Sequence, residues 1–194
     1  MDVTLRNHSD GTAATVTPQN QILTKSEVIS QQHFISTEFG RAFQAEGVSV
    51  TLTSATHTVL HLKNDDPQRN MVISYIRTQL VGANASNLLT NYFELGFDRT
   101  VSANGTVVEP ANMNRGSGVA ATFTATSGAG TTPTMAGTFV SFDKWYPSAG
   151  NDRLSYNKEG SIILGLNDTL EIRYVGTATA GNAYARATIM MVDK

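Results

Sequence analysis

The segment "VSVTLT", residues 48–53, alternates strictly, with Val48, Val50 and Leu52 on one side of an extended chain and Ser49, Thr51 and Thr53 on the other. From here to the C-terminus the same period recurs in short runs: "TVLHLK", "NMVISYIRTQLV", "NYFELGFD", "TVVEP", "VAATFTAT", "GTFVSFDKWY", "SIILGL", "TLEIRYVG" and "AYARATIMMV". Polar, glycine-rich stretches such as "NDDPQRN", "GANASN", "SGAGTTP" and "TATAGNA" separate them. Many short alternating strands punctuated by turn residues specify an all-β antiparallel sandwich. Helical periodicity is nowhere sustained in this region. Asn104-Gly105, between "TVSA" and "TVVE", is the pair that a type I′ hairpin turn favours, because both central residues need positive φ.

The first 47 residues read differently. "TLRNHSDGTAATVTPQNQILT" suits two short strands around Asp10-Gly11. In "SEVISQQHFISTEFGRAFQAEG", Val28, Ile35, Phe39, Ala42 and Phe43 fall at helical spacing, whereas Ile35, Thr37 and Phe39 alternate as a strand would. Gly40 inside this stretch costs a helix about 1 kcal/mol against Ala. The composition break near Gly47 divides the chain into an arm or assembly segment, residues 1–47, and a sandwich domain, residues 48–194. Phe34, Phe39 and Phe43 of the arm are candidate interface residues.

Composition narrows the function. Hydrophobic residues make up 40 % and charged residues 15 %, against about 25 % charged in an average soluble protein. Thr, Ser, Asn, Ala and Gly replace the missing charge, so a core can form beneath a neutral polar surface. The formal net charge is −2 and no Lys/Arg stripe is present to displace counterions from phosphates, so no nucleic-acid partner is expected. No run of 18 apolar residues points to a membrane span, and "MDVTLRNHSDG" has no secretory n- and h-region pattern. Cysteine is absent, which removes disulfides, thiolate nucleophiles and Cys-based metal sites. The Asn-x-Ser/Thr sequons at Asn7, Asn84, Asn104 and Asn167 read as turn chemistry in a chain rich in these residues.

The titratable residues form no recognisable constellation. His57 and His61 stand four apart, as in a helical HExxH zinc site, but Thr-Val-Leu separates them. On a strand they share a face about 13 Å apart, too far to hold one ion. "KNDDPQRN" then reads as the turn, with Asn and Asp capping it and Pro67 fixing φ. Glu94 and Asp98 have the same spacing and cannot bracket a glycosidic bond unaided. Glu171 alternates with Leu170 and Ile172 and is expected in solvent. There is no G-x-S-x-G elbow, and "GAGTTPTMAG" precedes no helix that would cradle a phosphate. No catalytic residue, metal or cofactor is expected, and the chain is not read as an enzyme. In "FVSFDKWYPSAG", alternation points Val140 and Phe142 inward and Trp145 toward the polar face. Trp145 and Tyr146 are therefore further candidate interface residues, although a strand end that curls the indole into the core is the more ordinary arrangement.

Three stretches resemble a family of tailed-bacteriophage virion structural proteins: "ISTEFGRAFQAEGVSVTLTSATHTVLHLKNDDPQRNMVISYIRTQLVGA", "NYFELGFDRTVSANGTVVEPANMNRGSG" and "FDKWYPSAGNDRLSYNKEGSIILGLNDTLEIRYVG". The likeness lies in an "hxLKN" strand, a "VIxxIR" strand and a late "NKEGsIIlGPGDTL" segment, and covers about residues 30–192. Where the family often carries a Pro-Gly turn, this chain has Gly165-Leu166-Asn167-Asp168. The resemblance implies a jelly-roll-like sandwich in the virus particle, on the capsid surface as a decoration or cement protein. Its implied partners are the major capsid protein or other virion proteins and further copies of itself, as a trimer or dimer. A head-fibre base or tail component is the nearby variant. A carbohydrate- or receptor-binding sandwich, which needs exposed aromatics such as Trp145, Tyr146 and Tyr156, is the alternative from another class.

Overall fold

The structure, a computed structural model, describes residues 31–84, 90–128, 132–148 and 151–194. The strands expected around Asp10-Gly11 lie outside them. A helix, α1 (Gln31–Glu38), precedes β1 (Ala42–Glu46), β2 (Val50–Thr51), β3 (Thr56–Asn64), β4 (Arg69–Val81) and β5 (Tyr92–Phe97). Then come β6 (Thr100–Ala103), β7 (Thr106–Val108), β8 (Ala111–Asn112), β9 (Phe123–Ser127) and β10 (Thr134–Ala136). The chain ends with β11 (Val140–Trp145), β12 (Arg153–Leu164), β13 (Thr169–Val175) and β14 (Asn182–Asp193).

Every pairing is antiparallel. One sheet runs β12-β4-β14-β1-β8, with β2 also on β14, and the other runs β11-β5-β13-β3-β9-β7. The long strands thus form the sets β12-β4-β14-β1 and β11-β5-β13-β3, the order of a jelly roll. Phe43, Ile73, Ile76, Leu80 and Ile189 from the first sheet and Leu60, Leu62, Phe93, Leu95, Ile172 and Tyr174 from the second share one core. The all-β sandwich expected from alternation is what forms.

The sandwich begins upstream of the break at Gly47. β1 pairs with β14 from Ala42↔Met190 to Glu46↔Arg186, and Phe43 and Ala45 enter the core. The expected boundary at residue 47 therefore moves N-terminal of Ala42. Helical and strand spacing competed in this stretch because both are present in succession. α1 ends at Glu38, Gly40 turns the chain at φ 59, and a Cβ there would collide with Ser117. Ile35 of α1 packs on Val72, Met190 and Val192, covering one end of the first sheet's outer surface.

Among the described strands, irregularities break the period of two, as three examples show. Ser74 has no partner in either neighbour's register, so Ile73 and Ile76, three apart, both reach the core. Val59 is skipped between Leu60↔Ile172 and Thr58↔Arg173. Phe142 is skipped between Ser141↔Gly96 and Asp143↔Leu95. Each extra residue reverses which side chains face inward beyond it.

Asn104 and Gly105 do adopt positive φ, 58° and 82°, but the flanking strands do not pair with each other. β6 joins β10 in a separate two-stranded ribbon while β7 joins β9. The turn is a sheet-to-ribbon corner, tied by the Asn104 side-chain amide donating to Thr134 Oγ1 at 3.0 Å.

Candidate functional site

The expected interface residues separate into two groups. Phe43 is buried in the core, edge-on to Phe123 at 5.7 Å between centroids. Trp145 is only 4 % exposed; its Nε1–H donates to Thr78 Oγ1 at 2.8 Å, and its ring lies 4.7 Å from Tyr156 and 6.3 Å from Phe93. Neither is available to a partner. Trp145 leaves the polar face that alternation assigned and takes the more ordinary buried arrangement, because the bulge at Phe142 shifts the phase of β11 so that Trp145 pairs with core-facing Phe93. Phe39 and Tyr146 are exposed at 43 % and 51 %. The backbone of Phe34 lies in α1, and its side chain falls outside the described residues.

The two residues that alternation sent inward are exposed at this sheet edge all the same: Val140, which keeps the inward phase by pairing with Phe97, is 48 % and Phe142 51 % exposed. Val140 and Phe142 lie on β11, the terminal strand of its sheet, and Tyr146 follows its end. Tyr92 sits 5.5 Å from Tyr146, with the Lys144 ammonium 5.1 Å above the Tyr92 ring. Phe142 rests 5.3 Å from Phe97, with Lys158 of β12 at 5.9 Å. Lys158 also bridges the sheets through Asp143 at 2.6 Å. The result is two aromatic–cation groupings at the β11 edge, Phe142–Phe97–Lys158 on the side of β12 and Tyr146–Tyr92–Lys144 on the outer side. The β11 backbone pairs on one side with β5, and no described strand occupies the other, the situation in which a sheet can accept another chain. Alternation alone missed Phe142 and Tyr92. The available signal was the crowding of three aromatics, with Lys and Asp between them, into "FDKWY", more than one face of a regular strand accommodates.

The acids form a second polar assembly, on the outer surface of the second sheet. Glu94 lies between Lys144 and Arg173 in the cross-strand register. It accepts from Arg173 Nη2 at 2.6 Å, Arg173 Nε at 2.9 Å and Ser141 Oγ at 2.6 Å, and pairs with Lys144 Nζ at 3.2 Å. Burial opposes its ionisation, yet the Ser141 hydroxyl and the two cations outweigh it and hold the carboxyl below its ordinary range. Phe139 lies over Gly96 and stacks on the Arg173 guanidinium at 3.5 Å.

Glu171 corrects a further expectation. It faces outward, in the phase that alternation assigned, but it is only 1 % exposed. Arg99 and the β6–β10 ribbon cover it: Thr58 Oγ1 donates to it at 2.6 Å, and Arg99 Nη1 reaches it at 3.4 Å while Arg99 Nη2 donates to Met135 O at 3.3 Å. Glu171 and Glu94 are thus each engaged by cations, and Asp98, at φ 68 in an exposed turn, joins neither. Under the ribbon a cavity of about 370 Å³ is lined by His61, Lys63, Thr100, Thr124 and Thr126, with no carboxylate.

The bulge at Val59 places the histidines differently from the shared face expected for a regular strand. His61 pairs with outward Glu171, while His57 pairs with core-facing Tyr174. His61 Nε2–H donates to Arg99 O at 2.9 Å; burial lowers its pKa, only partly offset by that carbonyl and by Glu171. His57 bonds to Thr53 and Thr132. Among the described residues no three His, Asp or Glu gather as metal ligands, and no helix is long and apolar enough to cross a membrane.

No family model and no curated protein matches the chain. Among solved structures, the chain aligns with infectious bursal virus-derived T=1 particles at 12 % identity, over 79 % of this chain and 38 % of that one. The TM-score is 0.13, and a likeness of that size carries no structural argument.

Proposed function

We propose that this protein is a capsid decoration protein of a tailed-phage virion, bound to the shell's exterior as an oligomer. The observation that carries the reading is the exposure of Val140 and Phe142 on the terminal strand β11, with Tyr146 exposed just past its end. Large exposed apolar side chains grouped beside an open sheet edge suit a self-associating protein. The rigid jelly roll beneath them suits a part that must keep its shape, and the family resemblance of the "LKN" and "NKEG" segments supplies the virion setting. Attachment to the assembled shell alone would stabilise that shell by mass action.

Light scattering of the full chain should give a trimer or dimer, and Phe142→Ser with Tyr146→Ser should shift it toward monomer with an unchanged urea midpoint. A monomeric parent protein would remove the reading. Image reconstruction of particles from a host carrying the gene should place the density on the capsid exterior. Density at the tail or at a head-fibre base would replace decoration with that role.

A further inference from the structure

The outer surface of the first sheet carries a basic cluster that the decoration reading does not use. Cross-strand register places Ser155, Arg77, Arg186 and Glu46 in one row across β12, β4, β14 and β1. The next row holds Arg153, Gln79 and Tyr184. Arg77 and Arg186 are direct neighbours, an arrangement that by itself destabilises a sheet. Between the rows lies a cavity of about 180 Å³ lined by Glu46, Arg77, Gln79, Arg153, Tyr184 and Arg186.

Charge there does not balance. Glu46 forms an ion pair with Arg186, and among the described residues it is the one carboxylate lining the cavity beside three guanidiniums. Arg77 leans on the Tyr75 ring at 5.7 Å, and its Nε is buried with no acceptor among the described residues. The Tyr75 hydroxyl has its pKa lowered by hydrogen bonds with Ser155 and Arg77 and, to a lesser degree, by the charges of Arg77 and Arg153. A guanidinium presents paired N–H donors that suit a carboxylate.

We infer that this cavity binds a carboxylate presented by an acidic protein segment. Two observations favour that chemistry. The Glu46–Arg186 pair shows a carboxylate already seated against one wall of the same cavity. The site is shallow and lies on a flat sheet surface between Tyr184 and Gln79, with the arginine and tyrosine composition of a protein interface. The site is independent of whether the protein sits on a capsid.

The test is calorimetric titration of the full chain with a hexaglutamate peptide, with inorganic phosphate and with glucuronate as separate arms. The peptide should bind at low salt and weaken as salt rises. Arg77→Gln with Arg153→Gln should weaken it by about tenfold or more, with an unchanged urea midpoint because these changes also relieve like-charge contact. Glu46→Gln should strengthen binding, since it frees Arg186 from its internal carboxylate. Absence of peptide binding, binding insensitive to the double substitution, or tighter binding of phosphate or glucuronate would each overturn the inference.

Discussion

Asn64 closes the strand whose "LKN" ending carries part of the family resemblance, and its replacement tests how the fold is held. The residue is fully buried. Its Nδ2 donates to Arg69 O and to Leu164 O, both at 2.9 Å, and its Oδ1 accepts from Asp66 N at 2.9 Å. Its backbone N–H donates to Asp168 O at 3.1 Å, and its carbonyl accepts from Asn167 N at 2.8 Å. One side chain therefore ties the β3–β4 turn to the end of β12, joining connections from opposite sheets. Asn64→Ala leaves the Leu164 carbonyl and the Asp66 N–H stranded in the interior, at about 1–3 kcal/mol each, while the part-buried Arg69 carbonyl recovers some water. The expected loss is about 3–5 kcal/mol, a large share of a typical domain's stability. At about 2–4 °C per kcal/mol for a chain of this size, Tm should fall by about 6–20 °C. Urea unfolding followed by fluorescence reads the loss directly. Asn64→Asp keeps the acceptor but turns a carboxylate toward two carbonyl oxygens; it should be no better than Ala at neutral pH and recover on acidification, when its protonated form can donate. A loss below about 1 kcal/mol for Asn64→Ala would refute the view that this side chain organises the turn.

Gly96→Ala should destabilise by about 1–3 kcal/mol, because a Cβ there would lie 2.3 Å from the Phe139 ring and 2.5 Å from the Val140 carbonyl; a neutral outcome in urea unfolding would show that Phe139 does not rest on this strand. Stability should fall on acidification in two stages. The folded pKa of His61 is lowered by burial, so the unfolded chain takes up the extra proton, and stability present above about pH 6.5 is lost as pH drops below it. Asp66 and Glu94 also have lowered pKa values, against the opposing effect of burial, so their contribution is present above about pH 4.5 and lost beneath it. His61→Gln should flatten the first stage and leave the second, and a pH profile unchanged by that substitution would refute the assignment.

Fold class was legible because alternation is a local property: "VSVTLT", "HLK" and "TLEIRY" display their buried faces without reference to partners. Faces beyond a bulge were not legible. Phe142, Val59 and Ser74 each add one residue against a partner strand, and the sign of the error follows from the position of the bulge. That is why Trp145 and Phe142 exchange their expected environments and why His57 and His61 part company. β4 shows where a trace remains: in "MVISYIRTQLV" the apolar spacing shifts from two at Met71 and Ile73 to three at Ile76, then returns to two. The burial of Glu171 was hidden for another reason, since a strand's outward phase is local but the ribbon that covers it is brought in from residues 100–136. Likewise the arginine row is assembled from β4, β12 and β14, and only the register makes neighbours of Arg77, Arg153 and Arg186.

The two outer surfaces of the sandwich handle charge in opposite ways. On the second sheet the acids and bases alternate along each row, Lys144–Glu94–Arg173 and Arg99–Glu171, and the ribbon closes over part of them. Desolvation there is offset internally, so removing one partner would strand another. On the first sheet α1 covers the apolar end at Val72 and Met190 and leaves the arginine end uncovered. Adjacent guanidiniums are tolerable in the isolated chain because solvent screens them. Their repulsion turns into attraction only when an outside carboxylate enters between them, so an acidic contact is favoured over the empty site most strongly where water is excluded. Among the described residues this arginine end is therefore where an outside carboxylate, if one binds, gains most.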